Sequence, residues 1–471
     1  MPQYAGRRVL VAGAAVAGAA AAEALLRLGA EVTVVDRAAS ERTAALADAG
    51  ARVVLAADPA GQAAAVDTAA VDEVVVSPGF APHHPLAAAA VAAGLDVYSE
   101  PELAWRLRGP DAPPWLAVTG TNGKTTTTTM LAAILRAAGL RAAALGNVGQ
   151  PLVSVSADRG RYDVLAVELS SFQLHWSREL APQAGALINL ADDHLDWHGS
   201  FAAYADAKTA IWRSGVAVGN IDDPRVATLL AGLPGASGDR KLQGPQRTVG
   251  VTLGPPSPGQ FGVVDGALVD AAFDPAGPVE LAPVAVVRPA GAHNVCNALH
   301  AAALARAHGV PAAAVRDGLA GYTPEPHRNA HVVTVDGVAY VDDSKATNPH
   351  AAYASLTAYP RIVWVAGGQL KGVEVDDLVA RVADRLAGAV LLGVDRARIA
   401  AALARHAPDV PVVDVASTDD GAMAEAVRAA AALAQPGDTV LLAPAAASYD
   451  MFSGYAARGE AFAAAVRELA R

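Results

Sequence analysis

Trp115-Leu-Ala-Val-Thr-Gly-Thr-Asn-Gly-Lys-Thr-Thr-Thr-Thr-Thr-Met-Leu-Ala-Ala-Ile-Leu135 is the stretch that decides the fold. An apolar strand, Trp115–Thr119, runs into a glycine-rich turn, and a helical pattern follows. Backbone N–H groups at such a turn and helix start can surround a phosphate. Lys124 can reach β- and γ-phosphates, and the Thr125 hydroxyl is placed to ligate Mg²⁺. Gly120, Thr121, Asn122, Gly123, Lys124, Thr125 and Thr126 are therefore candidate nucleotide contacts. The common G-x-x-x-x-G-K-[ST] form has glycine where this chain has Val118, but the strand–turn–helix context is that of a phosphate loop. A turn that merely contains lysine is the weaker explanation.

Around this stretch lie 471 residues, enough for about three domains at roughly 150 residues each. The chain is 53% hydrophobic but only 5% aromatic, so its core is expected to be built from alanine, valine and many helices. One cysteine, Cys296, excludes a disulfide scaffold and a cysteine zinc cluster. A net charge of −11 argues against non-specific nucleic-acid binding, so a few placed cations must hold any anionic ligand. Arg7 and Arg8 before Val9–Ala22 imitate a signal peptide, but a strand, a turn at Gly13–Gly18, a helix ended by Gly29 and a strand Glu31–Asp36 make a better βαβ unit. The absence of a long uninterrupted apolar run predicts no membrane span and a cytoplasmic protein.

Strand patterns recur at 52–55, 74–76 and 95–98, and Gly109–Pro114 reads as a linker. A second α/β region runs to about Thr323, with a Gly/Pro-rich stretch from Gly232 to Gly277 read as hairpins or long loops. A third region has strand patterns at 338–341, 362–365, 389–392 and 439–443. The expected class is α/β with mainly parallel sheets and ligands at the strands' carboxyl ends. The expected domains are 1–109, 110–323 and 324–471.

Glu168 ends an apolar strand downstream of the phosphate loop, as a Walker-B-type Mg²⁺ partner would. Asn189-Leu-Ala-Asp-Asp-His194 reads as a polar loop or as a second cation or proton-transfer site. Ser200 can cap a helix over 201–212, whose apolar stripe includes Lys208. A snorkelling stem is by a narrow margin the better reading of Lys208 from pattern alone; the other is a desolvated amine able to take up CO₂. Asn294 and Asn297 share a helix face suited to an adenine edge or ribose, although helix capping explains Asn294 equally well, and Cys296 is expected to be buried and inert. Gly13, Ala15 and Gly18 imitate a dinucleotide fingerprint with its middle glycine missing, and Asp36 could hold a ribose hydroxyl. Three polar loops follow three strands in the last region, and in a parallel sheet they would gather on one rim.

Gly120–Thr126, Glu168-Leu-Ser-Ser-Phe-Gln, Asp193-His194, Lys208, His293-Asn294-Val-Cys-Asn297, His327-Arg328 and Asp343-Ser-Lys-Ala-Thr-Asn348 together resemble the Mur ligases of peptidoglycan synthesis. The resemblance covers essentially the whole chain, and the last string is similar to that of the branch that adds D-glutamate to UDP-N-acetylmuramoyl-L-alanine. It implies a Rossmann-like N-terminal UDP-binding domain, a central P-loop-type ATPase and a Rossmann-like C-terminal domain that binds the amino acid and closes over ATP. It implies ATP-driven amide formation through an acyl phosphate, with ATP and two Mg²⁺ ions. Lys124, Glu168, His194 and Lys208 would be catalytic, with Thr125, Glu168, His194 and a carbamylated Lys208 at the metals. Asn294, Arg328 and Asp343 would hold ATP. Ala14, Ala15, Asp36, Arg37, Ser77 and Gly79 would contact the UDP moiety, and Asn147, Ser170 and Gln173 would line the path to the sugar and diphosphate. Lys345, Thr347, Lys371, Ser448 and Tyr455 would surround D-glutamate.

The expected partners are small molecules, with no nucleic acid or membrane, and the expected state is a monomer. The rival readings are another Mur-type or folylpolyglutamate-type ligase, a nicotinamide-dependent oxidoreductase using Gly13–Asp36, and a non-catalytic nucleotide sensor.

Overall fold

The computed structural model describes residues 4–155, 160–234, 245–419 and 421–470. Contacts divide the chain into two compact units, Met1–Val286 with Cys296–Gly321, and Val287–Val295 with Tyr322–Arg471. Three sheets carry the α/β architecture.

The first unit holds two sheets. One has the order β3-β2-β1-β4-β5, from β1 (Arg8–Ala12), β2 (Glu31–Asp36), β3 (Arg52–Leu55), β4 (Glu73–Val76) and β5 (Asp96–Ser99). All its pairings are parallel, and the strand that imitates a leader peptide is its centre. Val9 and Val11 pack with Ala21, Ala22 and Leu25 on one face, while Leu10 and Ala12 pack with Leu86, Ala87 and Ala90 on the other. A sheet covered on both faces requires such unbroken apolar strands, and alanines let the covering helices approach closely.

The second sheet has the order β14-β13-β12-β11-β10-β9-β6-β8-β7. Its strands are β6 (Trp115–Thr119), β7 (Ala142–Gly146), β8 (Val164–Glu168), β9 (Ala184–Leu187), β10 (Val216–Asn220), β11 (Arg247–Val251), β12 (Gln260–Val264), β13 (Ala267–Asp270) and β14 (Val279–Pro283). The Gly/Pro-rich stretch resolves into β11, β12 and β13, with Asp265-Gly266, both at positive φ, turning the β12–β13 hairpin. The part of that stretch at 235–244 lies outside the described residues.

The second unit's sheet has the order β15-β16-β20-β17-β18-β19, from β15 (Ala330–Val335), β16 (Val338–Asp342), β17 (Ile362–Gly367), β18 (Leu386–Leu392), β19 (Val412–Asp414) and β20 (Thr439–Leu442). It is parallel except for β15, which pairs antiparallel with β16. Val341, Trp364 and Leu441 face one helical layer and Tyr340, Val365 and Leu442 the other. No described helix is long and apolar enough to cross a membrane.

Candidate functional site

The phosphate loop leaves β6 between β8 and β9, so whatever ends those two strands stands beside it. Val118 is in register with Glu168 on β8, and Thr119 with Leu187 on β9. Gly123 takes φ +81° before the helix Lys124–Ala137, and a Cβ there would come within 2.5 Å of Asn297 Oδ1. A side chain at this position would be both strained and crowded. Thr125 Oγ1 donates to Glu168 Oε2 at 2.7 Å, and Asn147 Nδ2 donates to Glu168 Oε1 at 2.7 Å. Glu168 is buried, and these two bonds fix both its oxygens. The amide of Asn147, expected along a sugar–diphosphate path, thus also orients the carboxylate.

Two amines converge on the carbonyls of the loop. Lys124 Nζ donates to Gly120 O and Thr121 O, both at 3.0 Å. Lys208, on the helix Phe201–Thr209 capped by Ser200, donates from Nζ to Gly120 O at 2.7 Å and lies 4.8 Å from the Tyr204 ring centroid. A snorkelling stem would put the ammonium in water. Instead the residue is 2% exposed, which corrects that reading. Burial, reinforced by Lys124, drives the Lys208 pKa well below the ordinary lysine value. His194 begins a short helix at φ +54°, with its ring against Phe172. Burial, with Lys124 and Lys208 near, holds its pKa below the usual histidine value. Lys124, Glu168, His194 and Lys208 thus share one electrostatic neighbourhood in the first unit.

The N–H groups of Thr121 and Asn122 both donate to Asn189 Oδ1. Asn294 does not cap its helix, which begins at Ala292. Its carrier's other asparagine, Asn297, is the one against Gly123. Cys296 is half-buried, not buried, and its thiol is pushed up to about 12 by desolvation, which leaves it unreactive at neutral pH.

In the first sheet, Asp36 Oδ2 accepts from Ala14 N–H at 2.5 Å and Oδ1 from Arg37 N–H at 2.6 Å. The carboxylate shapes the turn that a ribose reading would have it serve. Ser77 Oγ donates to Gly13 O, and a Cβ on Gly18 would fall 1.8 Å from that same oxygen. Ala15 ends the turn as an exposed N-cap, and Arg37 and Gly79 are exposed beside it. Ser170 and Gln173 form a reciprocal capping box on the helix Ser171–His175. The short helix after His194, Leu195–His198, reaches toward this sheet through Trp197 Nε1, which donates to Pro78 O at 3.0 Å.

In the second unit the loops after β16, β17 and β20 do gather at the carboxyl ends of three adjacent parallel strands. They carry Lys345 and Thr347, Lys371, and Ser448, with Tyr455 starting the last helix. Lys345 Nζ is 3.8 Å from the Tyr455 ring centroid. Lys371 is exposed at φ +53°. Arg458, absent from the sequence reading, ties the three loops together. Its Nε and Nη2 donate to Ser344 Oγ and O, and its Nη1 donates to Gly367 O and Ala446 O. It is 1% exposed, and burial pushes its pKa down to about 10. Asp395 Oδ2 accepts from Leu370 N–H at 2.7 Å, holding the Lys371 loop from β18. Asp343 is buried, accepts from Asn329 N–H and Ser355 Oγ, and is pushed up to about 6 by desolvation. Half-buried Arg328 follows His327, whose Nδ1 is 2.6 Å from Asp342 Oδ2.

Among the described residues no three His, Cys, Asp or Glu side chains converge to hold a metal by themselves. The hydroxyl and carboxylate of Thr125 and Glu168 are a hard-oxygen pair that suits Mg²⁺, which keeps waters and phosphate oxygens in its remaining positions.

Residues 118–239 match the Mur ligase middle domain, and 327–446 match the Mur ligase glutamate ligase domain. The chain is 53% identical to the UDP-N-acetylmuramoylalanine--D-glutamate ligase of Streptomyces coelicolor, over 99% of both chains. It is 55% identical to the enzyme of that name from Thermobifida fusca, again over 99% of each. Among solved structures, the UDP-N-acetylmuramate-alanine ligase of Thermotoga maritima shares the fold at 18% identity, with a TM-score of 0.57 over 98% of this chain and 99% of that one. With a phosphate loop, an oriented carboxylate and a buried amine on a three-sheet α/β frame, the chain belongs to the Mur ligase family.

Proposed function

We propose that this protein joins D-glutamate to UDP-N-acetylmuramoyl-L-alanine at the expense of ATP, in the cytoplasm and as a monomer. The observation that carries the chemistry is the grouping of Lys124, the Thr125–Glu168 pair and buried Lys208 around one glycine-rich turn. The full-length identity to D-glutamate-adding ligases supports the choice of substrates. Residues 1–109 would bind the UDP moiety through Ala14, Ala15, Asp36, Arg37, Ser77 and Gly79. Residues 110–323 would bind ATP, with Asn294, Arg328 and Asp343 contributing from outside the loop. Residues 324–471 would bind D-glutamate through Lys345, Thr347, Lys371, Ser448 and Tyr455.

The reaction needs two bond exchanges. A carboxylate oxygen of the alanyl end attacks the γ-phosphorus in line, and ADP leaves, giving an acyl phosphate. The D-glutamate amine then attacks the acyl carbon, phosphate leaves with the bridging oxygen, and the amine proton passes to solvent. Both steps crowd anions together, which is the cost this site is built to lower. Lys124 would swing from its own loop carbonyls to the phosphates and spread the charge. Asn147 and Thr125 keep the Glu168 carboxylate aimed before any ligand arrives. Thr125 and Glu168 would hold one Mg²⁺, and His194 with a carbamylated Lys208 the other. When bound, these ions screen the repulsion between phosphate and carboxylate oxygens. A depressed pKa leaves Lys208 partly as free amine, which can add CO₂ and lose a proton to become the anionic carbamate.

Phosphate release from ATP is the test. It is expected only when UDP-N-acetylmuramoyl-L-alanine and D-glutamate are both present, and a panel of other amino acids should fail. Release that ignores D-glutamate, or a better rate with L-alanine or a diamino acid, would overturn the assignment.

A further inference from the structure

The phosphate loop is held by a side chain from a strand end that the reaction itself does not use. Asn189 follows β9, beside the loop. Its Oδ1 accepts from Thr121 N–H at 3.0 Å and from Asn122 N–H at 2.9 Å, so both lone pairs are engaged. Its Nδ2 donates to Asn122 O at 2.9 Å, and its own carbonyl takes a second share of Thr121 N–H at 3.1 Å. The amide orientation is dictated by chemistry, since the reverse would set NH₂ against two N–H donors. Aspartate could not donate to Asn122 O and would place a negative charge at an anion site. The zipper continues past Asn189. Ala191 N–H donates to Thr121 Oγ1, which also meets Tyr204 Oη at 2.8 Å, and Leu190 N–H donates to Asp223 Oδ2. Gly120 makes the approach possible, because a Cβ there would lie 2.5 Å from Ile188 Cγ1.

We propose that Asn189 is a positioning residue that locks the phosphate loop before nucleotide arrives, and that the Thr121 and Asn122 N–H groups belong to this lock. Phosphate is then met by the Lys124–Thr126 end of the loop, where the helix opens. The inference rests on the nucleotide reading of the loop given above.

Residue-resolved amide exchange of the wild-type protein, with and without Mg·ADP, tests it. Thr121 and Asn122 amides should exchange slowly in the free protein and change less than twofold with ADP, while Lys124–Thr126 gain at least tenfold protection. Fast exchange at Thr121 and Asn122 that slows only with ADP would overturn the lock while leaving the nucleotide site standing. No response anywhere in Gly120–Thr126 would overturn the nucleotide site and the lock with it. In a second arm, Asn189→Leu should raise the Kd for ADP at least tenfold with the Kd for UDP-N-acetylmuramoyl-L-alanine unchanged. An ADP Kd within threefold of wild type, or equal losses for both ligands, would refute a positioning role.

Discussion

Lys208→Met should make the protein more stable and nearly inactive at once. The Nζ of Lys208 is buried, and its pKa lies well below the ordinary lysine value of 10.5 because of desolvation first and Lys124 second. Removing it leaves neither Gly120 O nor the Thr119 hydroxyl without a hydrogen-bond partner. Gly120 O keeps Lys124 Nζ at 3.0 Å, and Thr119 Oγ1 keeps its bond to Leu169 O at 2.8 Å. Methionine fills similar volume without a polar head, so relief of polar burial should stabilise the first unit by about 1–2 kcal/mol. At about 2–4 °C per kcal/mol this is a Tm rise of about 2–8 °C. Between the folded and unfolded pKa values the unfolded chain binds the extra proton, so wild-type stability rises with pH across that window. The advantage of the variant should therefore be largest below the folded pKa and fade as pH approaches 10.5. If the amine carries catalytic charge, kcat should fall about 100- to 1,000-fold. Scanning calorimetry across pH, with phosphate-release kinetics, reads both. A variant that melts earlier than wild type and keeps its activity would refute this reasoning, since the buried amine would then be structural.

Gly18→Ala puts a Cβ 1.8 Å from Gly13 O, so the Gly13–Gly18 turn must deform at about 1–3 kcal/mol. Titration should show UDP-N-acetylmuramoyl-L-alanine binding weakened at least tenfold and ADP binding intact. Arg458→Met leaves the carbonyls of Ser344, Gly367 and Ala446 short of a donor, at about 1–3 kcal/mol each. Steady-state kinetics should show KM for D-glutamate raised at least tenfold while the Kd for ADP is unchanged. His300 is fully buried, and desolvation lowers its pKa from 6.5 to about 4. The unfolded state alone takes up the proton in that window, so stability drops by about 3 kcal/mol as pH falls from 6.5 to 4. His300→Leu should flatten that limb in denaturant melts.

The features legible in the sequence are those with local causes. The strand–turn–helix at Trp115–Leu135, the strand ending in Glu168 and the buried stripe that includes Lys208 all follow from spacing within one or two elements. The rim of three loops in the second unit follows from parallel topology. What stayed hidden depends on partners far along the chain. Asn147 turns toward Glu168, Asn189 toward Thr121 and Asn122, and Arg458 toward Ser344, Gly367 and Ala446, and no periodicity encodes those pairings. β15 and β19 are among the strands, with β7, β10 and β14, that the sequence pattern does not announce. Neither shows the run of buried residues that marks the central strands, because both lie at sheet edges. The Lys208 choice between snorkel and buried amine turned on what lies above the helix, which pattern cannot supply.

Oxygen-isotope transfer tests the central claim most directly. UDP-N-acetylmuramoyl-L-alanine labelled with ¹⁸O in its alanyl carboxylate is turned over with ATP and D-glutamate, and the phosphate is read by ³¹P NMR. One ¹⁸O per phosphate formed is expected, because the bridging oxygen leaves with phosphorus when the amine attacks. Unlabelled phosphate alongside amide product would contradict activation of the carboxylate by phosphoryl transfer.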